Sequence, residues 1–357
     1  MANEQEKTGG LVVTPKSKLS KIIIGIVIVL AAIAAFYLLY WVKTPQHSLG
    51  IITEAVEKHD LSTFEKHVNL QNIGTQAIDD MIATTIPAEE MKTPAVAGII
   101  NMVKAAAVPA FVVQAQKYVA TGSFSKLNAQ NDGQVIVASA AERTGLTSMK
   151  FQGIASTSRN KNEAIVNINV WDQQLDQNFV LRLHMQQLED GTWCLTEIAN
   201  LKDFITERDK VVEKRLAALN KPIQDKIKAK VQLITSGPGS MSIERLSKDK
   251  DLLIKAWIPF KLLAANIKSV SGTLLIYNKD KKVIFSRDFT SGDIDLSKSK
   301  DGLWHFNNSW VLNSYDSGDK EISSCDLATT TSQVVFTALH FNDDTKAIEC
   351  YNILPAK

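Results

Sequence analysis

The chain lacks most of what marks an enzyme or a metalloprotein in its sequence. No Gly-rich phosphate loop precedes a helix, and GxSxG, HExxH and EF-hand patterns are absent. Cysteine is scarce: Cys194, Cys325 and Cys350 are the only three in 357 residues. Three thiols make no disulfide scaffold, and no pair has the spacing of a zinc site or a redox CxxC motif. Cys325 and Cys350 fall in late strand-like stretches and could be bridged, which would contribute roughly 3–4 kcal/mol in the chain-entropy model. The alternative is two small buried thiols; Cys194, between Trp193 and Leu195, reads as inert filling. Net charge is missing too. The whole chain carries +2, and Lys7, Lys16, Lys18 and Lys21 with Glu4 and Glu6 account for it, so residues 43–357 are neutral. A neutral bulk has no electrostatic footprint for nucleic acid, and no nucleic-acid partner is expected.

Strongly apolar runs are also rare, and the clearest is Ile22–Val42, IIIGIVIVLAAIAAFYLLYWV. It holds 21 residues with no charge, no Asn, Gln or Pro and one Gly. As a helix it reaches roughly 31 Å at about 1.5 Å per residue, the thickness of a bilayer's hydrocarbon core. Its Ile, Val, Leu and Phe side chains favour insertion by something on the order of 4–8 kcal/mol. A cleaved signal peptide would have an apolar region of only about 7–15 residues ending in small residues. Here Phe36, Tyr37, Tyr40 and Trp41 occupy that end, as they do at a lipid headgroup level, so a retained anchor is expected. Four lysines precede the run and only Lys43 follows closely. The lysine asymmetry predicts a cytoplasmic tail at 1–21, a transmembrane helix at 22–42 and the remaining chain outside the cytoplasm.

Beyond the anchor, Leu49, Ile52, Val56 and His59 share a helical face. Leu61, Phe64 and Val68 begin a second stripe, and Ile73, Ala77, Ile78, Met81 and Ile82 a third that ends near Pro87. Residues 91–118 are apolar but interrupted by Asn101, Lys104, Pro109, Gln114 and Gln116. Lys104 in mid-membrane would cost about 3 kcal/mol, so core helices with a break at Pro109 are predicted. From Met149 the period changes to two: Val166, Ile168 and Val170, then Phe179, Leu181, Leu183 and Met185, with Asp190-Gly191 turning into Thr192–Ile198. Helices followed by strands predict an α+β domain over 43–201, its helices on a curved antiparallel sheet.

An apolar stripe from Ile205 to Val231 predicts a further helix, kinked or restarted at Asn220 and Pro222 and packed on its own domain. With Ser236-Gly237-Pro238-Gly239-Ser240 it makes 202–240 a helical connector and linker. Almost everything after it reads as strand. Leu252, Ile254, Ala256 and Ile258 alternate, as do Trp304, Phe306, Trp310 and Leu312, and turns such as Asn278-Lys279-Asp280 recur about every ten residues. Seven or eight strands predict an all-β sandwich over 241–357.

Two stretches resemble known families. HSLGIITEAVEKHDLSTFEKHVNLQNI with a sheet ending in DGTWCLTEIANLKDF resembles an uncharacterised family of bacterial membrane-anchored proteins. Its outer domain is similar to the cone-shaped nuclear-transport-factor-two-like fold. The matching features are Asp60 before the Phe64 and Val68 stretch, and the Gly191 to Trp193 hairpin. The segment IKSVSGTLLIYNKDKKVIFS at 267–286 looks like the small β-sandwich modules of bacterial surface proteins. The resemblance implies an envelope location and brings no catalytic residues.

Candidate sites are few, and no catalytic, cofactor-binding or metal residues are assigned. His59 and His67, each in a Glu-Lys-His triplet, read as surface or cap histidines rather than a metal pair. Asp293, Asp295, Asp316 and Asp319 could converge on calcium, although Asp is equally a turn residue. Trp304, Phe306 and Trp310 could line a sugar or peptide groove, although such stripes usually belong to a core. An apolar cone lined by Phe179, Leu181, Leu183 and Met185 offers no acid–base pair; the alternation puts His184 on the opposite face. The expectation is a non-catalytic, single-pass cell-envelope protein that presents an extracytoplasmic binding or scaffolding surface to an envelope protein, wall polymer or lipid-derived ligand. The alternative is an enzyme or small-molecule-binding protein using the apolar pocket.

Overall fold

The structure, a computed structural model, describes residues 28–29, 37, 40–123, 132–145, 148–237, 240–248, 251–299, 301–313, 316–343 and 345–355. The expected cytoplasmic tail at 1–21 and most of the expected membrane helix at 22–42 lie outside them. At the end of that segment Trp41–Lys43 forms a 3-10 turn. Helix α1 (Pro45–Glu57) begins where its sequence allows: Thr44 Oγ1 accepts the His47 N–H at 3.2 Å, and Pro45 takes the first position, where no backbone donor is needed. Asp60 and Asn69 cap α2 (Leu61–His67) and α3 (Leu70–Thr85) in the same manner.

A short α4 (Ala88–Met91) leads into α5 (Pro94–Thr121), which ends on left-handed Gly122. Helix α5 corrects two expectations. It is one 28-residue helix that runs through Pro109. Pro109 removes the hydrogen bond to the Ala105 carbonyl, but both residues are exposed, so water can take the freed oxygen. Nor is α5 a core helix. Ala107, Val108 and Val119 are buried, whereas Ile99, Met102 and Val113 are 58%, 71% and 56% exposed. Among the described residues it is the one helix long and apolar enough to cross a membrane, yet its Lys104 pairs with Asp79 of α3 at 2.8 Å. Helix α6 (Asp132–Thr144), unannounced by any clear periodicity, packs on α5 through Gly133, where a Cβ would stand 2.3 Å from the Ala106 carbonyl oxygen.

Strands β1 (Met149–Asn160), β2 (Glu163–Asp172), β3 (Gln177–Gln187) and β4 (Trp193–Ile198) form an antiparallel sheet in sequential order. The expected alternation holds, with Val166, Val170, Phe179, Leu181, Leu183 and Met185 all buried. The α2–α3 junction covers the free edge of β4: the Asn69 N–H reaches the Leu195 carbonyl at 2.8 Å and Asn72 Nδ2 the Thr196 carbonyl at 2.7 Å.

Helix α7 (Leu201–Lys228) is continuous through Pro222, so it does not restart there; Pro222 and Ala218, whose carbonyl it leaves free, are both exposed. Within 202–240, helix α7 and the strand that follows it reach two cores. Phe204 and Ile205 lie in the core beneath the first sheet, while Ile227 and Val231 lie in a second core. Strand β5 (Val231–Leu233) and β6 (Ser242–Lys248) both pair with one edge of β7 (Asp251–Leu262), so the Gly/Pro stretch connects neighbouring strands of one sheet.

Strand β8 (Ile267–Tyr277), β9 (Val283–Thr290), β10 (Trp304–Val311), β11 (Thr331–Phe341) and β12 (Ile348–Glu349) complete two antiparallel sheets. One runs β10-β7 with β5 and β6 beyond; the other runs β12-β11-β8-β9, and both contribute to the second core. The region is not all strand: α8 (Ser317–Ser324) intervenes, its Ile322 fully buried. The last residues return to the first half. Asn220 Oδ1 accepts the Tyr351 N–H at 2.7 Å and its Nδ2 donates to the Tyr351 carbonyl at 2.9 Å, while Leu354 joins the first core.

A buried ion pair ties α7 to the sheet. Arg208 Nε lies 2.8 Å from Asp172 Oδ2, with the two side chains 4% and 0% exposed. Every arm is used: Arg208 Nη1 donates to the Arg143 carbonyl at 2.7 Å, and Asp172 Oδ1 accepts from Ser148 Oγ and the Gln174 N–H, both at 2.9 Å. Gly145 (φ 67°) lies under the guanidinium, where a Cβ would approach to 2.4 Å. Arg208→Ala leaves Asp172 charged and unpaired, and is expected to cost about 3–5 kcal/mol in a urea unfolding titration. Met102→Glu, on the open face of α5, is expected to change stability by less than about 0.5 kcal/mol in the same assay.

Candidate functional site

The residues singled out by sequence do not gather into one centre. His59 Nδ1 donates to the Val119 carbonyl at 2.8 Å and His67 Nδ1 to the Trp193 carbonyl at 2.9 Å, so each braces backbone. The four aspartates are engaged separately. Asp295 and Asp316 cap short helical turns, Asp293 lies 3.9 Å from Lys268, and Asp319 is buried on Arg287 at 2.6 Å. Among the described residues no group of three or more potential ligands forms a metal site. The three cysteines are unbridged, and burial pushes the Cys194 and Cys350 thiols up, away from reactivity. His184 lies on the opposite face from Phe179 and Leu181, 3.9 Å from Glu197 and 4.0 Å from Glu163.

Trp304, Phe306 and Trp310 pack onto the second core; Phe306 stacks on Phe289 at 4.7 Å and Trp310 meets Phe285 edge-on at 5.9 Å. They line neither of the two depressions described below. The groove lies on the other side of the same sheet. Because Ile254, Ala256 and Ile258 point inward, Lys255 and Trp257 must point outward. Register places Ser242 and Asn307 on either side of Trp257, and Glu244 and Ser309 on either side of Lys255. Ser240, Ser242, Glu244, Lys255 and Trp257 line a depression of about 310 Å³. A second depression, about 380 Å³, has Asn178, Arg182, Asp203 and Glu207 around Phe179 and Phe204 at the start of α7, with no histidine or cysteine in its lining.

The first depression is built rather than incidental. The His305 imidazole stacks on the Trp257 indole, ring centroids 4.6 Å apart and planes 25° apart. His305 Nε2 is held by Asp301 Oδ2 at 2.8 Å and Oδ1 at 3.0 Å. Asp301 also accepts the Leu303 N–H at 3.0 Å and the Ser299 hydroxyl at 2.9 Å. His305 comes from β10, whereas the depression is lined from β6 and β7 and the adjoining Ser240, so the indole turns its remaining face towards Ser242 and Glu244. Glu244 and Lys255 oppose each other in register, and neither makes an ion pair with another described residue. The arrangement offers one fixed aromatic wall, one cation, one anion and two hydroxyls. The sequence carried the signal: a Trp at an outward position of an alternating strand.

No protein-family model, curated protein or solved structure matches the chain.

The Asp301 carboxyl is held at about 2 by the Leu303 N–H first, then by His305 and Ser299. Its folded value is depressed, so the stabilisation it brings is present above the ordinary value of 3.8 and is lost as pH falls through about 2. A carboxyl-carbon NMR titration is expected to give a midpoint near 2 for Asp301, moving towards the ordinary value in Ser299→Ala and His305→Ala.

Proposed function

We propose that the chain is a single-pass, membrane-anchored protein of the bacterial cell envelope, with its N-terminus inside and a non-catalytic binding surface displayed outside the cytoplasm. The anchor is Ile22–Val42, supported by its length, its lack of charge and the lysines on one side. The first half of the outer part is read as the cone-shaped nuclear-transport-factor-two-like domain, supported by helices packed on one antiparallel sheet. The second half is read as a surface-protein β-sandwich module, supported by two sheets that share one core. The observation that carries the function is the fixed Asp301–His305–Trp257 stack beside Glu244 and Lys255, an arrangement suited to holding a ligand or polymer. An enzyme or small-molecule binder using the cone is the alternative. Phe179, Leu181, Leu183 and Met185 would line its pocket, but they are at most 7% exposed and pack with Phe204 and Trp193.

Two measurements test the proposal in intact cells. Protease added to spheroplasts is expected to digest the chain beyond Lys43 and leave a short membrane-protected N-terminal fragment; a fully protected chain rules the topology out. A photo-crosslinking amino acid at Ser242 is expected to capture envelope material in a Trp257-dependent way. Equal capture from Lys221, exposed on α7, would show that the groove is not the binding face.

A further inference from the structure

The chemistry of the groove on β6, β7 and β10 narrows its ligand, an inference that rests on the binding proposal above. The indole of Trp257 is an aromatic platform whose one face is already covered by His305. The other face carries the negative side of a ring quadrupole and attracts weakly positive C–H groups. Around it stand complementary hydrogen-bonding groups. Lys255 can only donate, ionised Glu244 can only accept, and Ser240 and Ser242 do both. Same-face residues along a strand are about 7 Å apart and neighbouring strands about 4.8 Å apart, so Lys255 and Glu244 sit one row from the indole. That spacing suits one six-membered ring lying on Trp257 with its rim groups meeting the next row.

Charge balance favours a neutral ligand over the other classes. An apolar ligand would take Glu244 and Lys255 out of water with nothing to bond. An anionic ligand would meet Glu244 beside Lys255 and a cationic one Lys255 beside Glu244, so the repulsion from one offsets the attraction to the other. A neutral polyol satisfies both, because each hydroxyl donates and accepts. A pyranose with equatorial hydroxyls also turns a patch of axial C–H bonds to one face. Asn307 and Ser309 continue the polar row across β10, so a chain of such rings could pass over the sheet. We propose that this face binds a neutral β-linked glycan, with one pyranose ring on Trp257 and its hydroxyls shared between Glu244 and Lys255.

The test is isothermal titration calorimetry of the full chain in lipid nanodiscs, which avoids sugar-headed detergents. Cellohexaose supplies plain hydroxyls, chitohexaose adds N-acetyl groups, and the α-linked maltohexaose is the control. Saturable binding of at least one β-linked hexamer is expected, at least tenfold tighter than maltohexaose. Trp257→Ala is expected to weaken it at least tenfold, about 1.4 kcal/mol. Glu244→Gln with Lys255→Met keeps the platform, is expected to weaken binding several-fold, and serves if Trp257→Ala fails to fold. No saturable heat with either β-linked hexamer, or undiminished binding in these variants, overturns the proposal. If Ser242 crosslinking remains Trp257-dependent while both hexamers fail, the glycan is wrong and the binding face stands. If crosslinking fails as well, both fall.

Discussion

Helix α7 is the constraint on which the rest of the molecule depends. Ile205 near its start is fully buried in one core and Ile227 near its end is fully buried in another. A helix is stiff at that length, about 33 Å at 1.5 Å per residue, so the two cores are set at a fixed separation. The chain then enters β5 and pairs at once with β7, the strand that carries Trp257. Arg208 and Asp172 fix the other end of the same helix against the sheet, and the Asn220–Tyr351 pair brings the C-terminal residues back along it. A helix that joins two cores while exposing Pro222 to water loses one hydrogen bond and little else.

The β5–β12 half shows how one strand serves two purposes. Inward positions of β7 are Ile254, Ala256, Ile258 and Phe260, all fully buried, and they are committed to packing. On the outward face Lys255 and Trp257 are only half-buried and line the depression. The stacking of His305 on Trp257, with Asp301 bonded to the imidazole, holds the indole in one orientation.

Much of this was legible from residue order. The apolar alternations at Val166–Val170, Phe179–Met185 and Leu252–Ile258 correctly marked strands, because a two-residue period has one physical meaning on a pleated sheet. The stripe of Leu61, Phe64 and Val68 marked a helix, whose start the Asp60 carboxylate caps by accepting the Thr63 N–H. Other features were hidden. Helix α6 has its apolar Val135, Ile136 and Val137 in a row rather than at helical spacing, and is held by Ile136 and by close approach to α5 through Gly133. Helix α8 is a mostly polar segment held by its buried Ile322 and by buried Asp319, which pairs with Arg287 of β9. Pro109 suggested a break and Pro222 a kink or restart, but exposure of the carbonyls they free lets both helices continue. Trp304 and Trp310 drew attention as a possible groove, while the half-buried indole that lines one is Trp257 on β7.

The amino-acid order by itself determined the strand faces, the helix caps, the neutral charge of everything beyond the first 42 residues and the apolar run at 22–42. These are local properties, set by side-chain period and backbone chemistry within a few residues. Only the tertiary structure decided that Asp301, His305 and Trp257 stack, that Ser242 and Glu244 of β6 stand beside Trp257 and Lys255 of β7, and that α7 enters two cores. Those facts depend on strand register and on which apolar faces meet, interactions between residues far apart in the chain that no local period encodes.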